Sequence, residues 1–220
     1  MIVAKFAAVV LIGYFLGAVP FGVMIARRSA KVDVTTYGSG KTGATNVLRV
    51  AGKKAAAAVL IFDVLKGFLP VVFAALIFNG EYVLTGSSTS PWWLSRSAQV
   101  LAALAAIAGH KWSVFLHFGG GRGVATFFGG LLALCPPAAL FGGEILILGA
   151  CLTRYASVGS ISGAVAAYAI LIPLTLLNGF PVEFLVYALV GAVFIIVVHR
   201  DNIGRLLAGT ERRIGERVKM

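Results

Sequence analysis

Residues 124–153 read VATFFGGLLALCPPAALFGGEILILGACLT, thirty residues with one carboxylate and no other charge. As one helix this stretch would be about 45 Å long at 1.5 Å per residue. The hydrocarbon core of a bilayer is only about 30 Å thick. Pro136-Pro137 stands in the middle, where a missing N–H and a ring clash break a helix. The stretch therefore reads as a hairpin of two crossings, 124–135 and 137–153. Its first arm is short, so it starts earlier, tilts or is partly sheltered. This reading sets the parity of every segment around it.

Working outward, five further apolar runs are long enough to span. Residues 2–26 are stopped by Arg27 and Arg28, and residues 55–78 by Asn79-Gly80. A polar loop then ends in Pro91-Trp92-Trp93, whose aromatics suit a membrane interface. Residues 97–116 follow, ending between His110 and His117. Residues 161–177 end in the turn signal Asn178-Gly179-Phe180-Pro181, and 182–198 complete the set. The expected fold is an all-α integral membrane protein with seven transmembrane helices, one polytopic domain over 1–220. With the N-terminus outside and the C-terminus cytoplasmic, the inner segments are 27–54, 109–123, 154–160 and 199–220. They hold 16 of the 19 Lys and Arg, Arg217 and Lys219 included. That asymmetry is the positive-inside pattern. A single crossing at 124–153 would put the last two basic segments outside.

Composition agrees. The 220 residues are 59% hydrophobic and 12% charged, against about 25% charged in a soluble domain. This excludes a soluble enzyme and a disordered chain. The net charge of +11 reads as membrane orientation rather than nucleic-acid binding. Cys135 and Cys151 lie in apolar runs without disulfide or metal-ligand spacing. Eight acidic residues, none clustered on the inner side, give no metal site and no cofactor. Asp63 and Lys66, three apart within a span, read as an ion pair on one helix face. Glu144 has no evident partner, and Glu183 lies at the outer end of the last span.

Polar chemistry concentrates in the inner segments. The first carries Gly38-Ser39-Gly40-Lys41-Thr42-Gly43-Ala44-Thr45-Asn46, then Arg49. Its glycines let backbone N–H groups turn toward one anion. Ser39, Thr45 and Asn46 add neutral donors, and Arg49 a fork that fits phosphate. The spacing of a Walker loop is absent, and a solvated loop with a helix cap at Thr45 or Asn46 is the alternative. The second carries Gly109-His110-Lys111-Trp112, then Phe118-Gly119-Gly120-Gly121-Arg122-Gly123 before the next apolar helix. Free N–H groups at a helix N-terminus make a phosphate site, and a flexible linker is the alternative. The third is Arg154-Tyr155-Ala156-Ser157-Val158-Gly159-Ser160. The fourth runs His199-Arg200-Asp201-Asn202, then Arg205, Gly209 and Glu211. An interfacial histidine either acts as a base near neutral pH or simply reaches water.

GSGKTGATN with Arg49, GHKWSVF with HFGGGRGVAT, and HRDNIGRLLAGTE resemble the three motifs of the bacterial acyl-phosphate:glycerol-3-phosphate acyltransferase family, PlsY. The likeness covers nearly the whole chain. It implies acyl transfer from acyl phosphate to the 1-hydroxyl of glycerol 3-phosphate, giving lysophosphatidic acid and phosphate for phospholipid synthesis. It also implies a bacterial cytoplasmic (inner) membrane location with the site on the cytoplasmic side. Carried over by motif, Ser39, Arg49, His199 and Asn202 are the expected catalytic residues. Gly40, Thr45, Asn46, Gly119, Gly120, Gly121, Arg122, Gly123 and Ser157 are expected to bind substrate, and Glu211 is expected to be structural. Lys41, Ser113 and Arg122 depart from the asparagine, proline and lysine usual there, and Arg changes the donor geometry. Acyl phosphate already has a good leaving group, so direct attack without an acyl-enzyme is expected. The expected partners are the two substrates and membrane lipid, with no nucleic acid, and the chain is expected to work as a monomer. The rival readings are a membrane transporter of an anionic solute, a metal-dependent phosphotransferase and a structural membrane protein.

Overall fold

The computed structural model describes residues 1–85 and 91–216, with residues 80–85 as backbone only. The polar loop before Pro91 lies partly outside the described residues, as do Arg217 and Lys219. Among the described residues there are helices α1 (Ile2–Ala18), α2 (Phe21–Ala30), α3 (Ala44–Thr85), α4 (Trp92–Lys111), α5 (Val124–Leu134), α6 (Pro136–Thr153), α7 (Ala156–Asn178), α8 (Val182–Val198) and α9 (Arg200–Leu207). There is no β-strand among them, only an isolated bridge between Ser113 and Gly119.

Among the described residues, four stretches are long and apolar enough to cross a membrane: Ile2–Ala30, Ala44–Asn79, Pro136–Thr153 and Ala156–Asn178. α8 meets the same test only when taken together with α9, from which it is bent by 55°. α4 has the length but begins at Trp92 rather than 97, taking Ser95 and Arg96 into the helix, and it ends at Lys111 rather than 116. α5 is 11 residues long, about 16 Å, half of a hydrocarbon core.

The expected break falls at Cys135, where φ −147° and ψ 84° leave the helix and Pro136 starts the next one. Proline suits a first helical turn because its missing N–H would be unpaired there anyway. The two arms then part company. α5 packs chiefly on α3, whereas α6 packs chiefly on α7. Between α3 and α5 the backbones nearly touch: a Cβ at Gly67 would strike Thr126 O, and one at Gly129 would strike Val64 O. Tyr187 of α8 closes α5 from the other side. Its ring stacks on Phe127 at 5.5 Å and its hydroxyl donates to Phe127 O at 2.9 Å. A buried phenol needs such a partner.

Two expected loops are partly helical. The chain turns at Val19-Pro20 and continues as α2, so the first run is a broken helix. The basic stretch 44–54 is the start of α3, interrupted at Gly52 (φ 83°, ψ −179°). That φ costs glycine nothing and other residues a good deal, which places Thr45, Asn46 and Arg49 on a short helix and not in a loop.

Overpacking a tight crossing is destabilising, typically by about 1–3 kcal/mol. Gly129→Leu should lower the melting temperature of the purified protein. Cys135 is buried and Cys151 exposed, so reaction of a thiol-specific dye with the buried cysteine on heating reads the transition. An unchanged midpoint would refute the close α3–α5 contact.

Candidate functional site

Each polar segment is stiffened by its own residues. In the first, Asp33 Oδ1 accepts from the N–H (2.9 Å) and hydroxyl (2.6 Å) of Thr35, and Oδ2 accepts from Arg27 at 2.5 Å. The Thr35 hydroxyl, then Arg27, hold this carboxyl down to about 2. Asn46 is buried and turned inward on its loop. Its Nδ2 faces Val34 O, Tyr37 O and Lys41 O at 3.0 Å each, and its Oδ1 accepts from Ser39 N at 2.9 Å. Asn46 thus spends its amide on shaping 34–41, which presents Ser39 and Lys41. Gly40, at φ 64°, makes the turn and donates its N–H to Tyr37 O at 3.0 Å.

The second segment is a compact knot. Ser113 N donates to Gly119 O (3.1 Å) and Phe118 N to Ser113 O (2.8 Å). Gly119 N donates to Leu116 O (2.9 Å) and Gly121 N to His110 O (3.2 Å). Gly119 and Gly121 therefore use their N–H groups within the loop. What they offer is close packing, which delivers Arg122 and the N-terminus of α5 to the site. Gly123 (φ 74°) starts that helix.

The fourth segment is built around Glu211. Its side chain is 5% exposed. It accepts from Asn202 Nδ2 at 2.6 Å, Arg205 Nε at 2.8 Å and Ser157 Oγ at 3.3 Å. A buried carboxylate survives only with such partners. The chain beyond it crosses back over the first segment: Arg212 donates to Gly38 O (2.8 Å), Arg49 to Arg213 O (3.4 Å) and Ile214 N to Arg154 O (2.8 Å).

His199 sits at the α8–α9 bend, 2% exposed. Its Nδ1 is 2.7 Å from Ile195 O. A carbonyl only accepts, so Nδ1 carries the proton and Nε2 of the neutral ring is an acceptor. Burial first, then the charge of Arg122, pull its pKa down to about 4. The ring is neutral at physiological pH.

These groups border one cavity of about 630 Å³. One end carries Ser39, Lys41, Thr45, Asn46, Arg49, Arg122, Ser157 and His199, with Gly123 at the helix start. The Nε atoms of Arg49 and Arg122 are buried there without a hydrogen-bond partner in the protein. The rest is mainly apolar, between Leu60 and Val64 of α3, Phe128 and Leu132 of α5, and Leu140 and Ile147 of α6, with Asp63 and His110 also on the wall. Of the expected site residues, Gly40, Gly119, Gly120, Gly121 and Asn202 are off the wall and support those that form it. Sequence reasoning passed over three groups that do border it: Lys41, His110 and Asp63. The signal for the last was available, since an ionisable residue within a span is functional by default.

A cation-lined end opening onto an apolar trough, in a bundle of apolar helices, is the geometry of a membrane protein with a cavity both basic and apolar. The family model for glycerol-3-phosphate acyltransferase matches residues 7–209, and the chain belongs to that family, whose work lies in phospholipid biosynthesis. It is 54% identical over 219 residues to glycerol-3-phosphate acyltransferase 3 of Dehalococcoides mccartyi strain CBDB1, covering 100% of both chains. It is 43% identical over 209 residues to the glycerol-3-phosphate acyltransferase of a Thermus thermophilus strain, covering 95% of each. Among solved structures it resembles PlsY (YgiH), an integral membrane glycerol 3-phosphate acyltransferase, in its glycerol 3-phosphate form. The TM-score is 0.78 at 37% identity, over 96% of each chain. The lysophosphatidic acid form of the same protein matches with a TM-score of 0.76 at 36% identity, over 96% of this chain and 95% of that one.

The histidine has a consequence for stability. Its folded pKa lies below the ordinary 6.5, so the unfolded chain binds the proton more readily. Stability is then full above about pH 6.5 and is lost as pH falls toward 4. The melting temperature should drop across that window more steeply in the wild type than in His199→Gln. Parallel curves would contradict a buried neutral ring.

Proposed function

We propose that the protein transfers a fatty acyl group from acyl phosphate to the 1-hydroxyl of glycerol 3-phosphate, releasing lysophosphatidic acid and inorganic phosphate. The observation that carries the reading is the two-sided cavity. Two substrates with anionic heads, one bearing an acyl tail, need several cations at one end and an apolar trough at the other. Lys41, Arg49 and Arg122 supply the cations, and the α3–α5–α6 trough accepts the tail from the lipid side. Family membership sets the transport alternative aside.

The chemistry follows from the positions. The hydroxyl oxygen attacks the acyl carbonyl directly, a C–O bond forms, and the tetrahedral oxyanion collapses with loss of phosphate. No acyl-enzyme is needed, because phosphate is already a good leaving group. The hydroxyl proton passes to His199 Nε2 or to the departing phosphate. With a pKa of about 4, the ring is a weak base, better suited to orienting the hydroxyl than to holding its proton. Ser39 and the cations steady the developing negative charge, and the cavity holds the reactants together. Asn202, fixed on Glu211, sets the α8–α9 bend that aims His199.

In this reading the chain crosses the bacterial inner membrane seven times, with the N-terminus outside and the site on the cytoplasmic face. The basic segments support that orientation, and α5 with the knot before it forms the short crossing. The reading takes the chain to work as a monomer and calls on no cofactor.

Purified protein supplied with glycerol 3-phosphate and palmitoyl phosphate should form lysophosphatidic acid, and palmitoyl-CoA in parallel should give none. Ser39→Ala and Arg49→Ala, with melting temperatures near the wild type, should each lose about a hundredfold or more in kcat, as loss of one oxyanion donor does. Equal product from palmitoyl-CoA would overturn the donor assignment. A thioester or ester recovered on the protein would overturn direct attack.

A further inference from the structure

Asp63 and Lys66 on α3 and His110 at the end of α4 are buried together, 2%, 5% and 5% exposed. Asp63 Oδ1 lies 2.9 Å from Lys66 Nζ and 3.7 Å from His110 Nδ1. Lys66 Nζ also donates to Val19 O at 3.1 Å. Part of this is structural, since the break after α1 leaves carbonyls to satisfy. The neighbouring carbonyl shows how little that requires: Ala18 O is satisfied by the neutral hydroxyl of Ser113 at 2.6 Å. An ammonium, a carboxylate and an imidazole are a costly way to do the same for one more carbonyl, because each buried charge gives up its hydration.

The histidine shows what the remainder is for. Its carbonyl accepts from Gly121 N at 3.2 Å. A Cβ on Gly121 would collide with its Nε2, one on Gly120 would collide with its carbonyl oxygen, and one on Gly123 would lie 3.9 Å from its Cδ2. The glycine loop is thus moulded on both the backbone and the ring of His110, and Arg122 is the side chain that the mould presents to the cavity. His110 Nδ1 has no hydrogen-bond partner in the protein. The 3.7 Å gap to Asp63 exceeds a hydrogen bond, so the carboxylate faces Nδ1 without a direct bond.

We propose that Asp63, Lys66 and His110 form a positioning unit for the glycine loop: Lys66 fixes Asp63, Asp63 sets the ring of His110, and the ring sets where Arg122 stands. The proposal rests on reading 119–123 as the segment that holds a substrate phosphate, and it makes His110 a positioning residue for phosphate binding.

The test is a double-mutant cycle on the full-length protein, with kcat, both KM values and the melting temperature measured for each variant. His110→Ala should raise the KM of glycerol 3-phosphate or of palmitoyl phosphate at least tenfold, with kcat within threefold. His110→Asn, which keeps a donor near the place of Nδ1, should recover most of that loss. Gly121→Ala, which pushes on the ring, should reproduce the KM defect. The pair His110→Ala/Gly121→Ala should be no worse than the worse single variant, since both act on one loop position. Asp63→Asn/Lys66→Gln, which removes both charges together, gives a second route to the same KM effect if His110→Ala does not fold. Independent, multiplying effects of His110→Ala and Gly121→Ala would overturn the proposal. So would variants that lose only melting temperature while both KM values stay at wild type. Calorimetric binding of glycerol 3-phosphate, and of inorganic phosphate, by the same variants separates the two readings. A wild type that binds phosphate without turnover sinks acyl transfer alone, and the variants' affinities then decide the positioning role.

Discussion

A backbone carbonyl inside a bilayer has no water to turn to, and much of the structure follows from two such groups. Pro20 breaks the first helix between α1 and α2, freeing Ala18 O and leaving Val19 O only the N–H of Phe21 at 3.1 Å. The first is answered by Ser113 and the second by Lys66. The donor for Ala18 comes from the knot after α4, and the donor for Val19 from the middle of α3. The break is therefore the point at which α1, α3 and the second polar segment are fastened to one another. Lys66 then requires Asp63, and Asp63 brings His110 and the glycine loop into the same buried neighbourhood. Where the knot after α4 sits is set from inside the helical bundle.

The site shows the complementary arrangement. Cations dominate its polar end, and Glu211, whose charge acts on Arg49 and Arg122, is engaged by Asn202, Arg205 and Ser157. The Nε atoms of Arg49 and Arg122 have no hydrogen-bond partner in the protein. The buried histidine stays neutral in this field, because burial and the charge of Arg122 both oppose its protonation.

Much of this was legible in the sequence where backbone chemistry or charge alone decides. Pro136-Pro137 broke the long apolar run where its missing N–H groups demanded, and the three motifs marked the family and most of the cavity's polar end. The mid-span acid and base were legible as a pair, which the structure contains. Less was legible where tertiary contact overrides local pattern. Basic residues 44–54 look like a loop, yet they begin α3, because the break was left to one glycine at Gly52. Asn46 looks like a ligand donor, but its partners are carbonyls 5 to 12 residues away, which no spacing rule encodes. The glycines of the second motif suggest an anion nest, whereas Gly119 and Gly121 turn their N–H groups to Leu116 and His110. That Asp63 and His110 border the cavity depends on how α3 packs against α4 and α5, and neither helix announces it.

The hub at Glu211 has a consequence for how the protein is made. Synthesis runs from N- to C-terminus, so α1 through α8 have all been made before this carboxylate leaves the ribosome. Until then Asn202, Arg205 and Ser157 lack their common acceptor, and the strap over Gly38 and Arg154 does not exist. Insertion and completion of the site are thus separate events in time. Ribosomes that stop early leave polypeptides already threaded into lipid but without an organised polar centre. For such a protein, quality control has to recognise an unfinished polar centre, since the embedded part already looks complete.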